Sequence, residues 1–310
     1  MKIAMRNLCS ALKKSHLGFA GTTLFVISAL MPAAADSFFI VLQPNLPVFS
    51  KTYAGWSAEW WQWAFRLPTV DKDGKPIHPL SFQSTDDQQP NYDPTGQKCA
   101  IGQAPNGKVW FLGGVVNVSS TVERKCIIPE NKFIFFPILN GECSKIEGNG
   151  SNVNDLRKCA TQLINGVDPK SIKVTLNNKD LPFYRVQSPP FNFTLPDNNI
   201  LGINNTSPKS IPICEKNAEQ LNQSGANNIS NHLNPRLCQS VADGYYVMLA
   251  PLPVGNYTLN FTGTIPDSNP NNPPIFKLNI TYKLTINKWR YISSHARTDA
   301  NSKLLTQQAF

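Results

Sequence analysis

The chain of 310 residues carries 29 basic and 20 acidic residues, a formal net charge of +9 at pH 7. The surplus is mild and dispersed rather than gathered in runs, which excludes an electrostatic nucleic-acid footprint. The length lies near the upper size of a single hydrophobic core, so one domain with insertions or two small ones are allowed.

Met1 to Ala35 reads as a secretory signal peptide. Lys2, Arg6, Lys13 and Lys14 precede an uncharged apolar stretch that closes on Ala33, Ala34 and Ala35. A membrane anchor is the rival, since about 20 apolar residues can span a bilayer; Pro32 and the triple alanine argue against it. Cleavage before Asp36 leaves 25 basic residues against 20 acidic, with no transmembrane helix expected afterwards. The expected location is secreted or periplasmic.

Residues 56–68, "WSAEWWQWAFRLP", hold four of the six tryptophans. On a helical wheel Trp56, Trp60, Trp63, Ala64 and Leu67 cover one side, Trp61 and Phe65 widen the apolar arc, and Pro68 ends the helix. An arc of half the circumference or more belongs to a helix buried against a sheet. Glu59, Gln62 and Arg66 share the one polar stripe. That stripe is solvated surface if open to water, and a site if strands or loops cover it. A partly exposed ligand platform and a membrane-surface helix are the rival readings of the tryptophans; the single arginine speaks against the latter. "DKDGKP", residues 71–76, reads as a turn, because Asp71 and Asp73 lack the other acidic ligands of a calcium loop.

Downstream the pattern is mainly β. "VWFLGGVVNV" from Val109 and "KFIFFPIL" from Lys132 are apolar on both faces, as strands covered on both sides are. A second, short helix is predicted over Asn152–Ile164, with Ser151 or Asn152 as N-cap and Gly166 as stop. Shorter strands are expected at "FFIVL" from Phe38, "IKVTL" from Ile172, "FYRV" from Phe183, "FNFTL" from Phe191 and "GYYVMLA" from Gly244. "NYTLNFTG" from Asn256 and "FKLNITYKLTI" from Phe276 alternate with period two, one face on the core. "PLPVG" predicts that the strands on either side of it pair as a hairpin. These elements predict an antiparallel β-sandwich or jelly roll with one Trp-rich N-terminal helix, a single domain over residues 36–289. Residues 197–240 form a polar insertion too poor in apolar residues for a core of their own, and 290–310 a loosely held tail.

The six cysteines after Cys9 suit an oxidising compartment and three disulfides. Sequential pairing is expected, Cys99–Cys126, Cys143–Cys159 and Cys214–Cys238, because each pair brackets one local segment. No C-x-x-C spacing and no neighbouring histidine support zinc, so no metal and no cofactor are expected.

Five blocks occur in order: "SAEWWQWAFRLP"; "DPTGQKCAIGQ" with "VWFLGG"; "CIIPENKFIFFPILN"; "FYRVQSPPFNFTLP"; and "ADGYYVMLAPLPVGNYTLNFTG". Together they resemble a family of uncharacterised bacterial exported proteins, over most of residues 53–286. The resemblance implies an exported bacterial protein and no particular activity. The insertion is longer than the family pattern implies.

No Gly-x-Ser-x-Gly elbow, zinc helix or phosphate-cradling glycine loop is present. The candidate binding residues are polar ones bordering apolar strands or within the blocks: Glu59, Gln62, Arg66, Asp93, Gln103, Glu123, Asn140, Glu142 and Asp243. Asp93 in "DPTG" and Asp243 in "ADG" also read as turn-formers before glycine. The expected function is an exported binding protein for a carbohydrate or a cell-surface partner. The alternatives are a hydrolase with paired carboxylates and a structural envelope protein.

Overall fold

The computed structural model describes residues 40–82, 93, 95–116, 120–196, 198–202, 238–267, 269 and 271–288, all within one compact unit spanning residues 39–310. The expected signal peptide, Cys214, most of the 197–240 insertion and the C-terminal tail lie outside the described residues. In chain order the elements are α1 (Tyr53–Phe65), β1 (Ser81–Phe82), β2 (Val109–Phe111), β3 (Val115–Val116), β4 (Ser120–Pro129), β5 (Phe133–Ser144) and α2 (Val153–Asn165). They continue with β6 (Lys173–Leu176), β7 (Lys179–Asp180), β8 (Tyr184–Gln187), β9 (Phe191–Asn192), β10 (Gln239–Leu249), β11 (Gly255–Ile265) and β12 (Phe276–Asn287).

The fold is mainly β and sandwich-like, with the Trp-rich helix and one further helix. The first sheet runs β2-β5-β10-β8, with β9 also on β10; the second runs β4-β12-β11-β6-β7. Along β10, Tyr245, Val247 and Leu249 point into the core shared with Leu259, Phe261, Ile280 and Tyr282 of the second sheet. Ala242, Tyr246 and Met248 point the other way, onto α1. Val241 joins Cys143 under Leu156 and Ala160 of α2, so α2 lies on the same side of β10 as the second sheet. The first sheet is therefore the middle layer, as its two-faced apolar strands require.

Two expectations are corrected. The sheets are mixed rather than antiparallel: β2 and β5, β4 and β12, and β1 and β3 pair in parallel. The chain leaves the first sheet after β2, runs through β4 in the second, and returns as β5 in its original direction, which is how parallel neighbours arise. The segments flanking "PLPVG" are not a hairpin. β10 stays in the first sheet while β11 pairs β12 and β6 in the second; a Pro/Gly turn reverses the chain without choosing its partner. Of "FFIVL", Phe38 and Phe39 lie outside the described residues, and Val41 makes an isolated bridge to Leu249.

The two helices are held by different forces. α1 has no side-chain cap at Thr52, yet Trp60, Trp63, Ala64 and Phe65 are almost wholly buried and Trp60 Nε1 donates to Leu112 O at 3.0 Å. Burying 150–250 Å² per indole stabilises by up to about 4–6 kcal/mol each on area, more than a cap contributes. α2 is specified locally. Asn152 accepts from the backbone of Asn154 and Asp155 while Asp155 reaches back to the Asn152 N–H, a capping box. Disulfides Cys99–Cys126 and Cys143–Cys159 are present, the latter fastening β5 to α2. Cys238 is disulfide-bonded as well; its expected partner Cys214 lies outside the described residues.

Strand β4, absent from the sequence reading, buries Arg124 completely. Its guanidinium donates to the carbonyls of Asp93, Gly113 and Gly114 and to Tyr282 Oη at 2.9–3.1 Å. A cation in an apolar alternation hides a strand from pattern reading.

Candidate functional site

The polar stripe of α1 is divided among three separate segments. Glu59 pairs with Lys51, Gln62 Nε2 donates to Asn192 O at 2.7 Å, and Arg66 donates to Gly102 O at 3.0 Å. Glu59 and Gln62 are half-buried and Arg66 exposed, and none of the three lines the cleft described below. The tryptophans beside them pack into the core. Two further candidates also organise loops. Asp93 is buried and accepts from Thr95 Oγ1, Gly96 N and Lys98 N, the turn its sequence suggests. Gln103 bridges Cys99 O and both backbone groups of Phe111. Asp71 accepts from Asp73 N and Lys75 N, closing its own turn. Glu123 is an exposed position of β4.

Asp243 is not a turn residue. It lies mid-strand in β10, opposite Gly141 of β5 and Gln187 of β8, and Arg185 grips it at 2.9 and 3.1 Å. The glycine after it has a different cause: a Cβ at Gly244 would stand 2.5 Å from Asn140 Cβ across the strand pair.

Asn140 leads to the site that the structure does assemble. In β5 the pairing with β10 jumps between Tyr245 (opposite Leu139) and Tyr246 (opposite Pro137), leaving Ile138 as an extra residue. This bulge reverses the parity of the strand. Ile134, Phe136, Ile138 and Leu139 all enter the inter-sheet core, and beyond them Asn140, Glu142 and Ser144 fall on the face that α1 packs against. There Ser240 of β10 donates to Glu142, and Ser144 donates to Glu147 in the following turn. Glu147 is in hydrogen-bond contact with Glu142. The Glu142 residue as a whole is half-buried, but its carboxyl is desolvated. Burial first, and Glu147 second, push its pKa well above the usual carboxyl range.

Beside the pair are donors without acceptors. Trp61 Nε1, Asn140 Nδ2 and Tyr246 Oη are buried and make no hydrogen bond. Trp61, Asn140 and Ser57 all approach the Tyr246 hydroxyl, without reaching bonding geometry. The indoles of Trp63 and Trp110, which do not line the cleft described below, are buried without a hydrogen bond as well.

A cleft of about 860 Å³ follows this edge of β5 from Pro137 to Glu142. Trp60, Trp61 and Phe65 wall it on one side, Leu163, Ile164, Ile265 and Phe276 on the other. Among the described residues no strand pairs with β5 along this outer edge, since β2 stops at Phe111 opposite Phe135. The cleft thus unites Asn140 and Glu142 from the candidates, and leaves Glu59, Gln62, Arg66, Asp93, Gln103 and Asp243 outside. Glu147, Ser240 and Tyr246 were missed. In "CSKIEGNG" the Glu stands three residues after Ser144, the spacing at which the two meet.

Among the described residues, no cluster of three or more His, Cys, Asp or Glu could hold a metal ion, and no helix is long and apolar enough to cross a membrane. No protein family, curated protein or solved structure matches the chain, so its function is read from the chemistry of this cleft.

Proposed function

We propose that the protein is an exported binding protein that takes a carbohydrate into the cleft at the free edge of β5. The carrying observation is that the cleft is lined together by the aromatic rings of Trp60, Trp61 and Phe65, by the amide residue Asn140, and by the carboxyl residues Glu142 and Glu147. A sugar hydroxyl both donates and accepts, so it serves both kinds of group. The volume suits a ligand of one to a few rings, and Leu163 and Ile275 at the rim are exposed apolar groups that a ligand would cover. Export is supported by the disulfides and by the signal-peptide character of residues 1–35. A glycan array on the oxidised protein tests the reading. A hit should bind about tenfold more weakly to Asn140→Ala; a blank array overturns it.

One observation favours a hydrolase as second reading: a carboxyl whose pKa is raised by burial, beside a second carboxyl, is the equipment of an acid–base catalyst. The direct contact is closer than the roughly 5–5.5 Å of retaining glycosidases, so the two would act as one proton-sharing unit. Release of new reducing ends from any array hit, lost in Glu142→Gln, would support this reading over simple binding.

A further inference from the structure

The end of the sandwich away from the cleft has a surface of its own. Phe133 opens β5 beside Val109 of β2, Leu249 closes β10 opposite Ile134, Gly255 opens β11 opposite Ile286, and Asn287 closes β12. The short "PLPVG" connection joins the two sheets there, so these termini share one pole. Ile265, the cleft end of β11, is about 33 Å from Gly255 at the strand rise. Among the described residues seven large apolar side chains are exposed, and four of them, Ile40, Leu46, Phe49 and Val254, stand at this pole. Ala250 N donates to Ile40 O, and the rings of Phe49 and Phe133 meet at 5.3 Å, which ties the group to the strand ends.

Phe49 sits where its backbone opposes it. Val48 and Lys51 exchange both backbone hydrogen bonds, at 2.8 and 3.1 Å, leaving Phe49 and Ser50 as a two-residue turn with φ of 48° and 66°. That geometry suits Asn-Gly, and a bulky aromatic in the left-handed region is strained. The side chain at the tip is nevertheless 49% exposed, so core packing does not account for it. Strain of this kind collects where a side chain serves a contact. Lysines flank the tip. Lys51 closes the turn, Lys132 precedes Phe133, and Lys108 O accepts from Phe133 N at 2.9 Å. Lys288 is exposed just beyond β12. Against them stand Glu130, half-buried, and Glu59, which Lys51 already holds.

We propose that this pole rests on an anionic phospholipid surface, with Leu46 and Phe49 entering the headgroup layer and Lys108, Lys132 and Lys288 facing the phosphates. This goes beyond the carbohydrate reading and does not depend on it. A protruding ring flanked by cations fits a deformable anionic layer, because headgroups supply phosphate on every side of an inserted side chain. Ile40 is moreover the described residue nearest in sequence to the apolar stretch that ends at Ala35. On the export reading, the chain is therefore tethered to the bilayer at this pole until that stretch is removed. Seated this way, the cleft stands at the far end, clear of the lipid.

The test is co-sedimentation of the exported, oxidised protein with vesicles of phosphatidylcholine alone and with about 30% phosphatidylglycerol. Partition should be at least about tenfold stronger to the anionic vesicles, and should fall steeply at about 0.5 M salt. Phe49→Asn suits the left-handed turn. Its thermal midpoint should stay level or rise while its partition to anionic vesicles drops about fivefold or more. Lys108→Glu, at an exposed position, should cut the anionic preference by about tenfold. A leader retained on the chain would bind both kinds of vesicle and be blind to both substitutions. Equal partition to the two kinds, or partition that Phe49→Asn leaves unchanged, overturns the proposal. So does an absence of vesicle binding together with a dimer in sedimentation velocity that Phe49→Asn dissolves, which would assign the pole to a second copy of the chain.

Discussion

Asp243 and Glu142 are carboxyls on adjacent strands, one residue apart in register, and they face opposite sides of the first sheet. On the α2 side the polar groups around Asp243 form a closed network. Arg185 forks Asp243, also donates to Asn165 Oδ1 at 2.9 Å, and Gln187 links Arg157 to Thr161. On the α1 side a carboxyl meets a carboxyl, and Trp61 Nε1, Trp63 Nε1, Asn140 Nδ2 and Tyr246 Oη make no hydrogen bond. The closed network pins a helix, and the carboxyl contact of Glu142 with Glu147 borders the cleft.

The contrast can be broken most forcefully at Asp243. Replacing it with alanine strands the Arg185 guanidinium, and because that group is about a third exposed the expected loss is roughly 3 kcal/mol in urea unfolding, at the lower end for buried pairs. A loss under about 0.5 kcal/mol, the size of a surface pair, would dissolve the distinction.

His78, on the α1 side, is satisfied only while neutral: its Nε2 meets Ala64 O at 3.0 Å and its Nδ1 accepts from Leu80 N at 3.1 Å. Burial lowers its pKa from 6.5 to about 4. The unfolded chain therefore binds the extra proton first, and stability falls as pH drops from about 6.5 towards 4, by about 3 kcal/mol in all. An NMR titration with a His78 midpoint near 6.5 would contradict this. His78→Gln, which cannot charge, should show a flatter acid limb.

Glu142 has the opposite sign. Its folded pKa is raised, so its contribution is complete below the unfolded value and is lost as pH climbs through the folded one. Glu142→Gln should match the natural sequence near pH 4 and exceed it in stability at pH 8, by on the order of 1 kcal/mol. Destabilisation at pH 8 would show that the carboxyl pair is structural. The smallest effect belongs to the α1 stripe. Glu59→Gln removes a half-exposed pair with Lys51 and should change stability by less than about 0.5 kcal/mol.

Periodicity and composition made much of the fold legible. The tryptophan arc dictated a buried α1, the Asn152 signal started α2, and two of the expected disulfides are present. What stayed hidden were decisions taken at long range. No local pattern states that the chain after "PLPVG" joins the other sheet, or that Arg124 is fed four acceptors from three distant segments. The site was half legible for the same reason. Asn140 and Glu142 stand out as polar residues at the end of an apolar strand, whereas Glu147 and Tyr246 acquire meaning only through what faces them.

Ile138 carries that lesson furthest. Because it adds one residue to β5, the strand is two half-strands in opposite phase: the first half supplies the inter-sheet core with Ile134 and Phe136, and the second turns its polar residues outward to the cleft. Were Ile138 paired as a regular residue instead of bulged out, strict alternation would drive the Glu142 carboxyl into the oil between the sheets and swing Cys143 away from α2. One surplus methine-branched residue, contributing no polar atom itself, is what allows a single strand to be both wall and workbench.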